Sequence, residues 1–203
     1  MIQKYSSKRW QMKQNKFPRD YYPGFITTKE ANKLFSLFTN ELDRKHYDIH
    51  LFWKTHKQPR LVSYYADQWV DYSYSQTKLY GKWWHASLGG MRDKVQKTFN
   101  LDFNSVLCNL YRNGNDSMWR HADDEPSLWS DPIIASLSLW EQRYFHLKHK
   151  QTAEKKKMLL ENGSLLLMKS WCQKYWLHTI MKTRKLKWPR INLTFRKIVN
   201  SKN

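Results

Sequence analysis

Near its C-terminal end the chain contains the stretch Trp-Pro-Arg-Ile-Asn-Leu-Thr-Phe-Arg, residues 188–196. In an extended strand, successive side chains point to opposite faces. The apolar residues of this stretch therefore share one face, as in a strand that packs on a core. The other face carries Arg190, Asn192, Thr194 and Arg196. Burying four polar groups without partners is costly, and a dicarboxylate held by guanidinium groups would supply partners. An edge strand with a solvated basic face would explain the same alternation without any ligand.

Short, β-like segments begin after residue 100 and include this stretch. They cover residues 103–111, 133–140, 143–148, 164–168, 175–180 and 191–199. Many short strands separated by turn residues predict a mainly β fold, either a sandwich or a jelly roll. The charged residues 148–157 predict an exposed hairpin loop between two of these strands.

The N-terminal half predicts two helices that pack on this β structure. Residues 27–30, Thr-Thr-Lys-Glu, fit a capping box. An apolar stripe at helical spacing follows at Ala31, Leu34, Phe35, Phe38 and Leu42. A second stripe consists of Trp84, Leu88, Met91, Val95 and Phe99. Between them, residues 58–80 are rich in Tyr, Ser and Val and predict short strands or hairpins.

The charge of the chain favours a polyanionic partner. Thirty-six Lys and Arg residues against seventeen Asp and Glu give a net charge of +19, and 16% of the 203 residues are aromatic. Cations attract phosphates, and surplus aromatic rings suit the stacking of bases along a charged groove. A solubilising charge, or attraction to an anionic membrane surface, is the alternative explanation.

Length and cysteine content bound the class of protein. The chain is long enough for one domain, which we place at residues 21–203, after a basic, flexible tail at residues 1–20. Two cysteines cannot form a disulfide framework, and no apolar run reaches the length of a membrane span. We therefore expect a reduced, intracellular protein, in the nucleus or cytoplasm of a eukaryote or the cytoplasm of a bacterium.

Residues 119–125, Trp-Arg-His-Ala-Asp-Asp-Glu, contain a candidate metal site. In an extended segment His121 and Asp123 point to the same side. One imidazole and one carboxylate are two of the three ligands of a non-haem iron facial triad, and His178 is the best candidate for the third. A His-x-Asp pair alone is more often a surface pair than a metal site, and several other histidines could be chosen as partners.

Six motifs together resemble those of one known family, in its order and approximate spacing. They are residues 109–111, 121–125, 132–138 and 163–168, Trp176-x-His178, and residues 190–196. The chain resembles the AlkB family of iron(II)- and 2-oxoglutarate-dependent dioxygenases, and within it the homologue 3 and homologue 2 branch. The resemblance covers about residues 100–199, with a weaker match at residues 59–60 and 72–75.

The resemblance implies a fold and an activity. The fold would be a double-stranded β-helix, or jelly roll, with N-terminal helices packed on it. The activity would be oxidative demethylation of 1-methyladenine and 3-methylcytosine in DNA or RNA, preferably single-stranded, by a monomer. The cofactor would be Fe(II) with 2-oxoglutarate and O2 as cosubstrates, and the products formaldehyde, succinate and CO2. Open alternatives are the same iron chemistry on a protein or small molecule, and an idle nucleic-acid-binding module.

The resemblance also implies roles for single residues, with the iron centre itself as the catalytic group. The iron ligands would be His121, Asp123 and His178. The residues at 2-oxoglutarate would be Asn109, Tyr111, Arg190, Asn192 and Arg196. The residues at the modified base would be Asp124, Glu125, Arg143, Tyr72, Tyr74 and Ser75. The chain departs from the family at Trp140, where Gly is usual, and at Met181, where Pro is usual; these leave the range of lesions open.

Overall fold

The computed structural model describes residues 20–51, 54–74, 77–128 and 131–199. The helices are α1 (Thr28–Glu41), α2 (Ala86–Phe99) and α3 (Ser170–Tyr175). The strands are β1 (Tyr21–Tyr22), β2 (Asp48–Leu51), β3 (Lys54–Lys57), β4 (Leu61–Ala66), β5 (Tyr72–Tyr74), β6 (Thr77–Leu79), β7 (Ser105–Tyr111), β8 (Met118–His121), β9 (Ile134–Trp140), β10 (Arg143–His149), β11 (Lys155–Leu160), β12 (Leu165–Met168), β13 (Trp176–Ile180) and β14 (Arg190–Arg196). No helix in these ranges has the length and apolar character needed to cross a membrane.

Two antiparallel sheets form the body of the fold. The larger has six strands in the order β1-β12-β9-β14-β7-β4, and the smaller has four in the order β11-β10-β13-β8. A buried cluster from both sheets, which includes Leu107, Ile134, Phe145 and Trp176, fills the space between them. The expected jelly roll with flanking helices is therefore confirmed. The hairpins β2-β3 and β5-β6 stand apart as separate two-stranded sheets.

Strand β14 lies in the middle of the six-stranded sheet, between the helices on one side and the four-stranded sheet on the other. Its apolar residues Ile191, Leu193 and Phe195 pack in one cluster with residues of α1 and α2, such as Phe38 and Leu88. Its polar residues face the other way, into the space between the two sheets. The strand is completely buried, so the predicted alternation is right and the alternative of a solvated edge strand is wrong.

Both predicted helices are present, and side chains cap their first turns. Thr27 is the N-cap of α1, and its hydroxyl accepts a hydrogen bond of 3.2 Å from the backbone N–H of Glu30. His85 is the N-cap of α2, where its Nδ1 accepts from the backbone N–H of Ser87. Each cap satisfies one of the N–H groups that a helix start leaves without an intrahelical partner.

The hairpin predicted at residues 148–157 is present, but the predicted loop is too long. Strand β10 continues to His149 and β11 begins at Lys155, so the loop is limited to residues 150–154. Lys156 points inward, with its Nζ 5.2 Å from the centroid of the Trp176 ring, while Lys155 and Lys157 point outward. The period of two is present but invisible in the sequence, because all three residues are lysines. Helix α3 and the strands β1 to β3 and β8 were not among the predicted elements, and residues 1–19 of the predicted tail lie outside the described ranges.

Candidate metal centre and adjoining pocket

Strand pairing brings the three predicted iron ligands together. His121 is the last residue of β8, and β13 pairs with β8 so that His178 lies directly opposite it. Asp123 follows two residues after β8. Its Oδ1 is 3.8 Å from Nε2 of His121, and its Oδ2 is 3.6 Å from Nε2 of His178. One potential ligand atom from each residue lies within 4.8 Å of the others, so the predicted triad is a single cluster.

Both imidazoles are held in the neutral form that binds metals. Nδ1 of His121 lies 2.7 Å from the backbone carbonyl oxygen of Trp119, which fixes the N–H there and leaves the Nε2 lone pair facing Asp123. Burial lowers the pKa of His121. Burial, followed by repulsion from His121, lowers the pKa of His178 to about 3. Neither ring therefore needs to lose a proton before a cation binds.

Asp123 is held as a carboxylate by its neighbours. Burial would raise the pKa of its carboxyl group, but Arg196 and the two imidazoles hold this pKa well below the usual range. Arg196 Nη2 donates a 3.0 Å hydrogen bond to Oδ1, and the backbone N–H of Asp123 donates to Gln173 Oε1. Two neutral histidines and one carboxylate beside a cavity are the donor set of a ferrous facial triad with open positions, so these residues fit the ion.

The cavity beside this triad encloses about 420 Å³ of empty space, counting its mouth. The five residues that the sequence predicts at 2-oxoglutarate all line it, from the neighbouring strands β7 and β14. Arg190 is paired in register with Tyr111, and Asn192 with Asn109. The structure thus places these residues around one cavity with the triad. Their contacts with a cosubstrate stay a prediction.

Arg190 is a buried cation with open hydrogen-bonding directions. Its Nη2 donates to the hydroxyl of Ser138 at 2.9 Å, and the Tyr111 ring lies 5.3 Å from its guanidinium carbon. Its Nε and Nη1 are buried without a hydrogen-bond partner among the described residues. Burial lowers the pKa of Arg190 to about 10, the direction expected for a cation without a facing carboxylate. A ligand carboxylate would satisfy both the charge and the open N–H groups.

Arg60 and Ser136, which lie in the family-like motifs but were given no role there, support the site. Arg60 Nε donates a 2.7 Å hydrogen bond to Asn109 Oδ1, and Asn192 Nδ2 donates to Ser136 Oγ at 2.8 Å. The serines on β9 carried a signal, since they alternate with leucines and so lie on one face of the sheet, which they share with Asn192 and Thr194 of the paired β14. Gln173 carried none, because it comes from the unpredicted helix α3.

The residues predicted at the modified base occupy different environments. Tyr72 is buried, with its ring 5.5 Å from the Arg196 guanidinium carbon. Burial, followed by repulsion from Asp123, raises the pKa of the nearby Glu125 to about 7. Asp124 is exposed and forms a 3.1 Å ion pair with Lys150.

Arg143 is buried beside the pocket and is tied to the backbone. Its guanidinium donates to the carbonyl oxygens of Asn113, Asp116 and Met181. Its guanidinium carbon also lies 5.8 Å from the centroid of the Tyr111 ring. For Tyr74 the structure describes the backbone in β5, and Ser75 lies outside the described ranges. The assignment of these six residues to the base stays a prediction.

Trp140 ends β9 with a φ of +72°, in the left-handed region that favours glycine. This conformation explains why glycine suits the position. The Trp140 ring stacks on Phe35 of α1, with centroids 5.1 Å apart, and is not among the residues that line the cavity. Met181 is half exposed, and its carbonyl oxygen accepts from Arg143.

The sequence and the fold were compared with known proteins. Residues 20–196 match the model of the 2OG-Fe(II) oxygenase superfamily. The human alpha-ketoglutarate-dependent dioxygenase alkB homolog 3 is 36% identical over 192 residues, which cover 87% of this chain and 65% of that protein. The human DNA oxidative demethylase ALKBH2 is 35% identical over 182 residues, which cover 86% of this chain and 68% of that protein.

A solved structure agrees with this relationship at the level of the fold. The structure of OsALKBH1 superposes with a TM-score of 0.61 at 16% identity, covering 87% of this chain and 96% of that chain. The chain spans 64% and 65% of the length of the bovine and human homolog 3 proteins. Residues 20–196, which match the superfamily model, include the triad, the residues that line the cavity and both sheets. The chain therefore belongs to the 2OG-Fe(II) oxygenase superfamily and, within it, to the AlkB family.

Proposed function

We propose that this chain is an iron(II)- and 2-oxoglutarate-dependent demethylase of N-methylated bases in nucleic acid. One observation carries the proposal: a His-Asp-His triad and a buried, partly unpartnered arginine line the same cavity. A metal site alone would fit many reactions. A metal site with a carboxylate-binding cation beside it fits a reaction that uses a metal-bound oxo acid.

The protein's own residues would hold and orient the reactants. His121, Asp123 and His178 would hold the ferrous ion on one face and leave the cavity side open. When bound, iron and 2-oxoglutarate supply the oxidation by O2 that hydroxylates an N-methyl group, which is lost as formaldehyde while 2-oxoglutarate becomes succinate and CO2. Arg196 would keep Asp123 ionised and in place through its 3.0 Å hydrogen bond.

Arg190 would bind the carboxylate of 2-oxoglutarate that lies far from the iron. Its open Nε and Nη1 are two donors that can each form a charge-assisted hydrogen bond to a carboxylate oxygen. Asn109 and Tyr111, from the adjacent β7, would contact the same molecule, and Asn192 would support the site through Ser136. The cavity thereby fixes the cosubstrate before the base arrives.

The methylated base would come from a polynucleotide. One of the relatives is a DNA oxidative demethylase by name, and the net charge of +19 suits a polyanionic partner. A base must leave its stack to reach a buried metal, and this costs least in a single strand. A cationic base such as 1-methyladenine or 3-methylcytosine suits Glu125 beside Tyr72, with Asp124 close by.

The test is product release from defined substrates. Formaldehyde and succinate would be measured with single-stranded DNA and RNA that carry each lesion, with unmethylated strands of the same sequence, and with a methylated peptide. We expect formaldehyde only from methylated strands, and no turnover with a His178→Ala variant. Formaldehyde from the peptide, or iron-dependent turnover that survives His178→Ala, would contradict the proposal.

A further inference from the structure

The outer face of the four-stranded sheet carries cations that the metal centre does not use. Residues directly opposite each other on paired strands share a face. Lys148 on β10 lies opposite Lys155 on β11, and His146 lies opposite Lys157. Leu147, between them, lies opposite His178, so the intervening side chains point inward toward the metal centre. Arg120 on β8, next to His121, is exposed and completes the set. We call Arg120, His146, Lys148, Lys155 and Lys157 the basic face.

No residue of the basic face forms an ion pair with a carboxylate within 4.0 Å in the described part of the chain. The ion pairs of this sheet belong instead to Lys150 with Asp124 and to Lys156 with Glu154. Elsewhere many surface lysines are paired, as Lys94 is with Glu30 and Lys197 is with Asp102. The positive charge of the basic face is therefore not neutralised by ion pairs of its own.

This arrangement opposes folding. Like charges directly opposite each other on neighbouring strands are destabilising, and Lys148 and Lys155 form such a pair. His146 senses the same field, since burial, and then Lys157 and Arg120, lower its pKa. The repulsion among these cations would be relieved if a polyanion bound across the face.

Two exposed aromatic rings lie on or beside the same surface. Tyr144, one outward position before His146 on β10, is 51% exposed, and Lys157 Nζ lies 5.0 Å from its ring centroid. Trp119, next to Arg120 on β8, is 43% exposed. Cations interleaved with exposed rings are the combination that binds single strands, through phosphates and base stacking together.

We infer that the basic face binds the phosphate backbone of the same nucleic-acid strand whose modified base enters the pocket, at nucleotides beyond the lesion. The inference rests on the proposed function for the identity of the polyanion. Arg120 adjoins the metal ligand His121 on β8, the edge strand of the sheet, so a strand held at the pocket passes onto the face over this edge. Four strands at a spacing of ~4.8 Å make the face about 14 Å wide, enough for several phosphates.

The test measures the binding of unmodified single-stranded oligonucleotides to the whole protein by fluorescence anisotropy. The variant is Lys148→Ser/Lys155→Ser/Lys157→Ser; Arg120 is left in place because it adjoins a metal ligand. The matched control is Lys94→Ser/Lys169→Ser/Lys197→Ser, which removes the same charge from lysines that form ion pairs elsewhere on the molecule. A third protein, Lys148→Arg/Lys155→Arg/Lys157→Arg, keeps the charge and checks that the face tolerates substitution.

We expect the serine variant of the basic face to lose at least tenfold in affinity for a strand of about 20 nucleotides, and much less for one of about five. Its log–log salt dependence should become shallower by about 2, since each phosphate contact contributes ~0.7. The control and the arginine variant should bind nearly as the wild type does. Equal losses in the face variant and the control would overturn the inference, because net charge alone would then explain binding.

Two further outcomes keep this inference separate from the proposed function. If methylated strands are not demethylated but the three variants bind as expected, the proposed function fails and the basic face stands. If demethylation occurs while all variants bind long strands alike, the basic face fails alone. Binding of phosphatidylserine vesicles, but not oligonucleotides, through these lysines would show that the surface serves a membrane and would overturn the inference.

Discussion

Asp123 links the metal centre to the cation beside it. Its Oδ1 accepts from Arg196, and its Oδ2 faces His178. Asp123→Ala removes a ligand and also leaves Arg196 buried without its carboxylate, a change that typically costs several kcal/mol. We expect this variant to lose stoichiometric iron binding under anaerobic conditions. We also expect the metal-free protein to be destabilised by ~3–5 kcal/mol in urea unfolding.

His121→Ala separates these two effects. It removes a ligand but leaves the buried pair of Asp123 and Arg196 intact. Iron binding should fall as in Asp123→Ala, with a clearly smaller loss of stability in the metal-free protein. Equal destabilisation by both substitutions would show that the ion pair contributes nothing beyond the packing of the triad.

Arg190 gives a prediction of opposite sign for binding and stability. Without ligand it is a buried cation with two unpartnered nitrogens, and replacing such a charge by an apolar side chain of similar length is often neutral or stabilising. Arg190→Met should therefore leave the unfolding free energy of the metal-free protein unchanged or raised. Its affinity for 2-oxoglutarate, measured by calorimetry with the metal bound, should fall about 100-fold, or ~2.7 kcal/mol.

The matched variant is Arg190→Lys. It keeps the charge but cannot reproduce the planar pair of donors, so it should recover only part of the affinity. Equal affinity in the wild type and both variants would remove Arg190 from the cosubstrate site.

At the scale of the element, backbone strain and side-chain stacking oppose each other at the end of β9. Trp140 has a φ of +72°, which costs a residue with a side chain ~1–2 kcal/mol, and it regains part of this by stacking on Phe35. Trp140→Ala keeps the strained backbone and loses the stacking, so it should destabilise. Trp140→Gly loses the stacking but relieves the strain, and should be more stable than Trp140→Ala by about 1 kcal/mol in urea unfolding.

This order is the reverse of that in an ordinary strand, where glycine weakens the strand interior. Ser136→Ala and Ser136→Gly, on the same strand and in the β conformation, supply the comparison, with alanine the more stable. The conformation of Trp140 would be contradicted if glycine were the less stable residue at both positions.

Which elements the sequence revealed depended on contrast between neighbouring residues. Strand β14 was legible because its polar and apolar residues alternate, and α1 because a capping box precedes an apolar stripe. Strand β11 was hidden, since inward and outward positions are both lysine. The spacing of His121 and Asp123 was readable locally, and the choice of His178 needed the family's motif order. Arg60 and Gln173 reach the site only through tertiary contacts, which local patterns do not encode.

At the scale of the whole molecule, charge and pocket are arranged on one sheet. The inner face of the four-stranded sheet carries two metal ligands, and the basic face lies on its outer side. Because successive side chains of β10 point to opposite faces of the sheet, neighbouring residues can belong to the metal centre on one side and to the basic face on the other. A nucleic-acid strand that passes over the edge of the sheet at β8 would place its modified base at the metal, while its phosphates neutralise the lysines of the basic face.

The preference between single and double strands belongs to this scale. A duplex must unpair before a base can reach the buried triad, whereas a single strand avoids that cost and can stack its bases on exposed rings. We expect kcat/KM for one 1-methyladenine lesion to favour the single strand by about tenfold over a matched duplex, or ~1.4 kcal/mol in the transition state. Both phosphate-rich substrates respond to salt, so the comparison is made at one ionic strength. The opposing element is the β5-β6 hairpin, which adjoins the pocket through Tyr72 and could wedge a duplex open. A clear duplex preference would assign that role to the hairpin, because its insertion would then offset the cost of unpairing.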